Sequence, residues 1–404
     1  MSESWPTMPN LPVPAHYRGW TTDYVKHSID QRLLGILQRV FTENDLPETA
    51  VPLLKRLLDD LPYGEIRPLP NHIAPDFAAW QGYIDPQLGQ NWLEAPWFFV
   101  ETYCYRHIAA AVDHFRSGFD PFTYQKKQSL VAAQAQTHAL VLKLNQMISE
   151  GWHAENFRQL LLADLWGNQA DLSKWTAGDE AMPNHADTTD RTAHLLVNDE
   201  TAVTDLVQNG LSQIDFIIDN AGFELIGDLC LADYLLAVGQ TNTVRFHLKL
   251  FPTFVSDATI IDTEATIAWL RQNEDAALQQ MGQRLTEYVL DGRLRLLTHP
   301  FWTSPHPLWA LPNDLRQTLA AADLVISKGD ANYRRALGDA QWSKTTPITS
   351  IVSYLPTTAL FLRTGKSEVL VGLSEETLAK MAEAEDDWLV NGRWGVIQLV
   401  PRAG

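Results

Sequence analysis

Three oxygen-bearing residues fall where apolar runs give way to polar sequence. Asp219 and Asn220 end the run QIDFIIDN, and Asp257 lies in FVSDAT, directly after the next apolar run, TVRFHLKLFP. Two carboxylates and a carboxamide are hard donors suited to Mg2+ or Mn2+, with waters completing an octahedron. Three protein ligands leave positions open for a phosphate and a water. Each residue alone has a plainer reading, Asp219-Asn220 as a helix cap and Asp257 as a turn residue. An acidic pair after one buried run and another Asp after the next is a less accidental pattern.

A second group is basic. The run DLVIS leads into Ser327-Lys328-Gly329-Asp330-Ala331-Asn332-Tyr333-Arg334-Arg335, and ALFL leads into Arg363-Thr364-Gly365-Lys366. Glycine permits close backbone approach, Lys and Arg supply charge, and amides at a helix start can meet phosphate oxygens. The plain alternative is a surface turn followed by solvated arginines. Against it, Arg in a first helical turn opposes the helix dipole unless an anion is near. His299 and His306 flank FWTSP and are read as loop packing. The chain has no GxGxxG after a strand, no GxxxxGK[ST], no GxSxG, no HExxH and no CxxC, which leaves those nucleotide, hydrolase and zinc templates without support.

These residues need a scaffold that brings strand ends together. Residues 1–195 read as a mostly helical domain. Apolar residues recur at helical spacing over Asp30–Leu61, Trp97–Phe115 and Lys126–Trp152, and an Asp- and Gly-containing loop covers Thr176–Arg191. Residues 196–404 alternate strand and helix. The strands are QIDFIIDN, TVRFHLKLFP, RLRLLTH, DLVIS, ALFLRT and GVIQLV, with helices over GFELIGDLCLADYLLAVG and from Ile260 to about Val289. This rhythm predicts an α/β class, a largely parallel sheet covered by helices on both faces. Ligands of such sheets bind beyond the carboxyl ends of the strands, where Asp219, Asp257, Lys328 and Lys366 fall.

Composition restricts the partners. The formal charge is −18 and the pI about 5.0, so nucleic-acid binding is not expected. An acidic chain can still take a small phosphorylated metabolite if local cations or a metal recruit it. No window approaches the roughly 18 apolar residues of a membrane span, and the N-terminus does not read as a secretory signal. Cys104 and Cys230 are expected as core thiols, and a cytoplasmic location is the default. Oligomeric state is left open.

The segments FIIDNAGFELIGDL, FVSD, SKGDANYRR and RTGK resemble domain-of-unknown-function family 89, the damage-control phosphatases. They are closest in pattern to its sugar-phosphate subgroup with an Arg-Thr-x-Lys motif, one member of which is also described as an acidic-residue methyltransferase. WLEAPWFFVETYCYRHI and LLADLWGNQADLS are similar to helical segments of the same family, so the matches run in order from about residue 92 to residue 372. The resemblance implies a Rossmann-like three-layer α/β/α domain with an N-terminal helical domain. It implies hydrolysis of phosphate esters with Mn2+, Ni2+, Co2+ or Mg2+, and Asp219, Asn220 and Asp257 as metal ligands. It places substrate against Asp219, Asn220, the segment Asp330, Ala331, Asn332, Tyr333 and Arg334, and Lys366. Lys328 is added on charge grounds as a catalytic residue beside Asp219 and Asp257. Two departures from the family pattern, Ala331 and Gly365, remove no charged group.

The chemistry expected is metal-assisted phosphoryl transfer to water, with cationic side chains neutralising the phosphate oxygens. Two nucleophiles fit: water, with Asp257 helping to deprotonate it, or Asp219 through a phospho-enzyme. Water is adopted because a ligand carboxylate is less free to attack. Fructose 1-phosphate stands for the substrate class. The competing readings are an S-adenosylmethionine-dependent carboxyl methyltransferase and a non-catalytic sugar-phosphate-binding protein. The first conflicts with a loop holding one glycine and a negative charge, and the second is separated by turnover of a generic ester. Glu101, Arg106, Asn168 and Asp171 are the helical-half residues expected near the pocket, in structural roles.

Overall fold

Short β-branched and apolar runs alternate with amphipathic segments from residue 195 onward, and they fold accordingly. The protein was analysed as a computed structural model that describes residues 8, 11–70, 73–167 and 192–403. Seven strands make one sheet: β1 (Leu195–Asn198), β2 (Leu211–Ile217), β3 (Thr241–Leu248), β4 (Leu294–Thr298), β5 (Leu324–Lys328), β6 (Ala359–Thr364) and β7 (Gly395–Val400). Their order is β1-β7-β6-β5-β2-β3-β4. The five strands from β6 to β4 are parallel, β7 is antiparallel to β6, and β1 is parallel to β7. The α/β class and the largely parallel sheet are therefore as expected. The short β1 was not foreseen.

The two-residue period of the strands sorts side chains into two apolar clusters. Ile326 and Leu360 face the first, with Leu144, Leu161, Leu229 and Met281 from helices Gln134–Glu150, Ala154–Gly167, Phe223–Ala237 and Ala276–Asp291. Val325 and Phe361 face the second, with Leu33, Phe99 and Tyr333 from helices Leu33–Thr42, Trp97–Ala111 and Gly329–Ala336. The result is three layers, helices over both sheet faces. Neither cluster follows a division at 195/196, because Leu144 and Leu161 precede that point yet pack with the strands. Burial of apolar area requires this, since β2, β3 and β5 cannot cover their own faces.

Two expected long helices are broken. Lys126–Trp152 falls across helices Thr123–Ala132 and Gln134–Glu150, and Ile260–Val289 across Ile260–Arg271 and Ala276–Asp291. The second break is a capping event. The Asp275 carboxylate accepts from the amides of Ala277 (2.9 Å) and Leu278 (3.2 Å) and starts a new helix. Cys104 and Cys230 are buried free thiols. Among the described residues no helix is long and apolar enough to cross a membrane.

Candidate active site

Strand register decides what meets at the carboxyl ends. Ile217 of β2 pairs with His247 of β3 on one side and Ser327 of β5 on the other. Continuing both registers by two residues sets Asp219 between Lys249 and Gly329. The order of the sheet also reverses between β2 and β5, and such switch points open a crevice for ligands. Gly329 has φ +76°, and a Cβ added to it would stand 1.8 Å from Oδ2 of Asp219. The Asp219 carboxylate thus lies against bare backbone, which only glycine offers.

The segment after β3 folds back onto the end of β2. Ala221 N–H donates to the Ser256 carbonyl (2.7 Å), Ala258 N–H donates to the Asp219 carbonyl (2.8 Å), and Asn220 and Asp257 form an antiparallel bridge. Ser256 Oγ donates to Asn220 Oδ1 (2.6 Å), and Asn220 Nδ2 donates to Asp219 Oδ2 (3.0 Å). The three residues expected as metal ligands are therefore gathered at the ends of adjacent parallel strands. Burial pushes the Asp257 carboxyl up, opposed by the Lys249 ammonium, whose Nζ lies 3.0 Å from Oδ2.

Glu224 was missed by sequence reasoning. It is the second residue of the helix Phe223–Ala237, four positions beyond Asn220, and Asn220 Nδ2 donates to its Oε2 at 2.7 Å. Its Oε1 is buried with no hydrogen-bond partner. Burial and then the charge of Asp219 hold its carboxyl well above the usual range. The usable signal was the Asn-x-x-x-Glu spacing across a helix start, close enough in sequence for the two side chains to meet.

The basic segment is more internal than its composition implies. Lys328 Nζ donates to Asp228 Oδ1 (2.9 Å), to the Asp164 carbonyl (3.2 Å) and to Asp164 Oδ1, all fully buried. Burial pushes both aspartate carboxyls up; burial alone would lower the Lys328 ammonium, but these two partners raise it above its usual range. Placed as a catalytic group beside Asp219, Lys328 instead has its charge balanced inside the protein.

The residues that follow are engaged in the same way. Arg334 is paired with Asp339 through Nε (2.7 Å), and its guanidinium lies 3.6 Å from the Trp97 ring centroid. Arg335 donates to the carbonyls of Ser304 (2.7 Å), His306 (2.8 Å) and Trp302 (3.1 Å). Asn332 Nδ2 donates to the carbonyls of Lys328 (2.9 Å), Ile218 (3.2 Å) and Ile217 (3.3 Å), tying β5 to β2. Tyr333 OH donates to Gln398 Oε1 (2.9 Å). Burial alone would raise the Asp330 carboxyl, but Arg363 and Arg334 hold it below the usual range, and Arg363 Nε donates to it at 2.7 Å. Ala331 is half-buried. The charge of Lys366, like that of Lys328, reaches the acidic cluster. Lys366 is 5% exposed, and it acts on Glu224 to favour the ionised form.

Helices of the first half close around these strand ends. The Lys126 ammonium is buried between Asp120 (3.0 Å) and Asp262 (2.8 Å), and Asp262 caps the helix that follows the Asp257 loop. Gly222, at φ +75°, lies so close to Ser129 that an added Cβ would stand 2.6 Å from Oγ. Of the residues expected from this half, Glu101 pairs with Arg32 (2.5 Å) and Arg106 with Asp76 (2.9 Å), both structural. Asn168 and Asp171 lie outside the described residues. His299 accepts from Phe301 N–H (3.0 Å) and His306 packs 4.3 Å from the Tyr83 ring, as loop packing requires.

Among the described residues no three His, Cys, Asp or Glu side chains gather as metal ligands. The candidate set here is two carboxylates and a carboxamide, an all-oxygen donor set for a hard cation. The ionisable groups at this end of the sheet bear on the fit. Asp164, Asp219, Glu224, Asp228 and Asp257 are set against Lys249, Lys328 and Lys366, five carboxylates to three ammonium groups, all nearly or fully buried. Burial and mutual repulsion push several of these carboxyls up, and Glu224 Oε1 is left without a hydrogen-bond partner; a crowded, under-compensated set of oxygen donors fits a divalent cation.

The model of the damage-control phosphatase ARMT1-like domain matches residues 25–381. Relatives named damage-control phosphatase ARMT1 span nearly the same length. The Danio rerio protein is 33% identical over 380 residues, covering 87% of this chain and 85% of its own. The Mus musculus protein is 31% identical over 381 residues, covering 87% and 86%, and the Homo sapiens protein is 30% identical over 401 residues, covering 91% and 87%. With its α/β sheet and its acidic strand-end cluster, the chain belongs to the ARMT1-like family of damage-control phosphatases.

Proposed function

We propose that this chain hydrolyses small phosphate monoesters with a divalent cation held by Asp219, Asn220 and Asp257. Sugar phosphates such as fructose 1-phosphate are the proposed substrate class. The observation that carries this reading is the convergence of these three oxygen donors at the β2/β5 switch point, beside the buried carboxyls of Glu224, Asp228 and Asp164. When bound, Mn2+, Ni2+, Co2+ or Mg2+ supplies Lewis-acid neutralisation of the phosphate oxygens. The chain's own residues do the rest. Lys366 compensates phosphate charge that remains, and Asp257 takes the proton of the attacking water. Gly329 holds Asp219 in place, and Lys328, clamped by Asp164 and Asp228, keeps the helix Phe223–Ala237 against β5. Positioning and neutralisation are what a loose phosphoryl-transfer transition state needs from a protein.

The test is hydrolysis of a phosphate-ester panel, including p-nitrophenyl phosphate and fructose 1-phosphate, with and without metal. Chelation is expected to abolish turnover and Mn2+ or Co2+ to restore it. Full activity in excess chelator sinks the metal assignment, and absence of turnover with every metal and ester sinks the catalytic one.

A further inference from the structure

Lys249 has no part in the scheme above, yet its ammonium is paired with a proposed ligand, Asp257. It follows β3 directly and is 2% exposed. Its Nζ lies 3.0 Å from Asp257 Oδ2 and donates to the Ile218 carbonyl at 2.9 Å. The backbone already fixes the Cα of Asp257 without its help. Lys249 N–H donates to the Ala258 carbonyl (3.0 Å), Asp257 N–H donates to Thr253 (3.2 Å), and Ser256 N–H donates to Phe254 (2.9 Å). Two consecutive residues of this loop, Phe254 (φ +48°) and Val255 (φ +69°), are left-handed. A β-branched residue pays for that conformation in strain, which persists only where the surroundings over-determine it. What remains free to be set is the orientation and charge of the carboxylate. A buried Lys–Asp pair seldom adds stability over apolar packing, so stability does not account for Lys249.

We propose that Lys249 is a positioning residue and internal counter-ion. It orients Oδ2 of Asp257, which keeps a lone pair for the water proton, leaves Oδ1 for the cation, and competes with that cation so that it binds with moderate affinity and open coordination positions. This rests on the reading of Asp257 as a ligand. Removing the ammonium frees the second oxygen and removes a like charge beside the cation, and both changes favour cation binding. A carboxylate free to chelate through both oxygens also fills a position that substrate needs.

The experiment compares the full-length protein with Lys249→Met, Lys249→Gln, Lys249→Arg and Asp257→Asn, by Mn2+ titration calorimetry, thermal melts over a Mn2+ series, and kinetics at saturating Mn2+. Lys249→Met is expected to bind Mn2+ about tenfold more tightly than the wild type. Its Mn2+-dependent gain in Tm is expected to be larger and its kcat lower. Lys249→Gln, which keeps an N–H for Ile218, decides the question by the same titration if the Met variant does not fold. Lys249→Arg restores the charge and is expected to return Mn2+ affinity toward wild type. Unchanged or weaker Mn2+ binding in the neutral variants overturns the proposal, because a merely structural lysine would do that. Asp257→Asn separates the two levels: wild-type Mn2+ binding there overturns the ligand reading itself, whatever Lys249 does.

Discussion

Gly329→Ala tests the geometry of the strand ends most directly. The added methyl would lie 1.8 Å from Asp219 Oδ2, 2.3 Å from its Cγ and 2.8 Å from its Cβ. Ordinary contact is about 3.5 Å, so the carboxylate must retreat by well over 1 Å or rotate away from Asn220. Backbone strain is a separate effect. Gly329 sits at φ +76°, where alanine costs roughly 1 kcal/mol. Gly239 shares that φ of +76° and has nothing within 4 Å, so Gly239→Ala carries the strain without the collision. Both variants are expected to lose about 1 kcal/mol in denaturant titrations, with a further loss in Gly329→Ala from the displaced side chain. A displacement of about 1 Å at reacting groups costs on the order of a hundredfold in rate. Gly329→Ala is therefore expected to lose about that much kcat/KM with Mn2+, and to bind Mn2+ more weakly by calorimetry, while Gly239→Ala keeps both. Equal kinetics in the two variants would refute the argument that Asp219 is held in its working position by contact with bare backbone.

Three further outcomes follow from the same contacts. Lys328→Met leaves Asp164 and Asp228 buried without their cation and is expected to cost about 3–5 kcal/mol in chemical denaturation. Adding Asp228→Asn should recover part of that loss, and full stability in the single variant contradicts the clamp. Lys366→Met removes a charge-assisted contact worth roughly 1.5–3 kcal/mol. Steady-state kinetics should then show kcat/KM lower by on the order of 10- to 150-fold with Mn2+ binding retained. Burial, and then Arg335, lower the His306 pKa to about 4 from 6.5. Between those pH values the unfolded chain binds a proton that the folded one does not, so stability is lost as pH falls from about 6.5 to about 4. His306→Phe should flatten that slope in midpoints measured across this window.

The meeting of Asp219, Asn220 and Asp257 was legible in the sequence because its logic is local. An apolar run that ends in Asp219-Asn220 and another followed by Asp257 mark strand ends, and adjacent parallel strands bring such ends together. The parallel core and its two helical layers were legible for the same reason, from period and length. The internal pairing of the basic residues was not legible because charge balance is not local. Lys328 is matched by Asp164, 164 positions away, and by Asp228 on another helix. Arg334 is matched by Asp339, across a turn whose conformation the sequence does not declare. Strand direction was hidden too. GVIQLV reads as a strand either way, and only tertiary packing makes it antiparallel to β6. A clue to Lys249 was present but unused. Arg245, His247 and Lys249 alternate through an otherwise apolar strand, so three ionisable groups must share one buried face and each must find a partner there. Arg245 and His247 find Asp215 (2.7 Å and 2.9 Å), and Lys249 finds Asp257.

This pairing bears on how an acidic protein handles an anion. At −18 the long-range field opposes a phosphorylated substrate, and most of the basic residues that seemed placed to offset it are engaged in the interior. Lys328, Arg334 and Arg363 each face a carboxylate, and Arg335 is surrounded by carbonyls. Their work is to hold β5, β6 and the following helix at fixed distances from β2. Under the proposed function, recognition of phosphate would fall on a few positive groups at the strand ends, with a divalent cation held by the buried oxygen donors as the principal one. The same acidity that repels a bare phosphate from the surface favours concentrating that cation in the site. On this reading the buried ion pairs supply rigidity and the cation supplies affinity, so the protein can remain acidic without losing its hold on an anionic ligand.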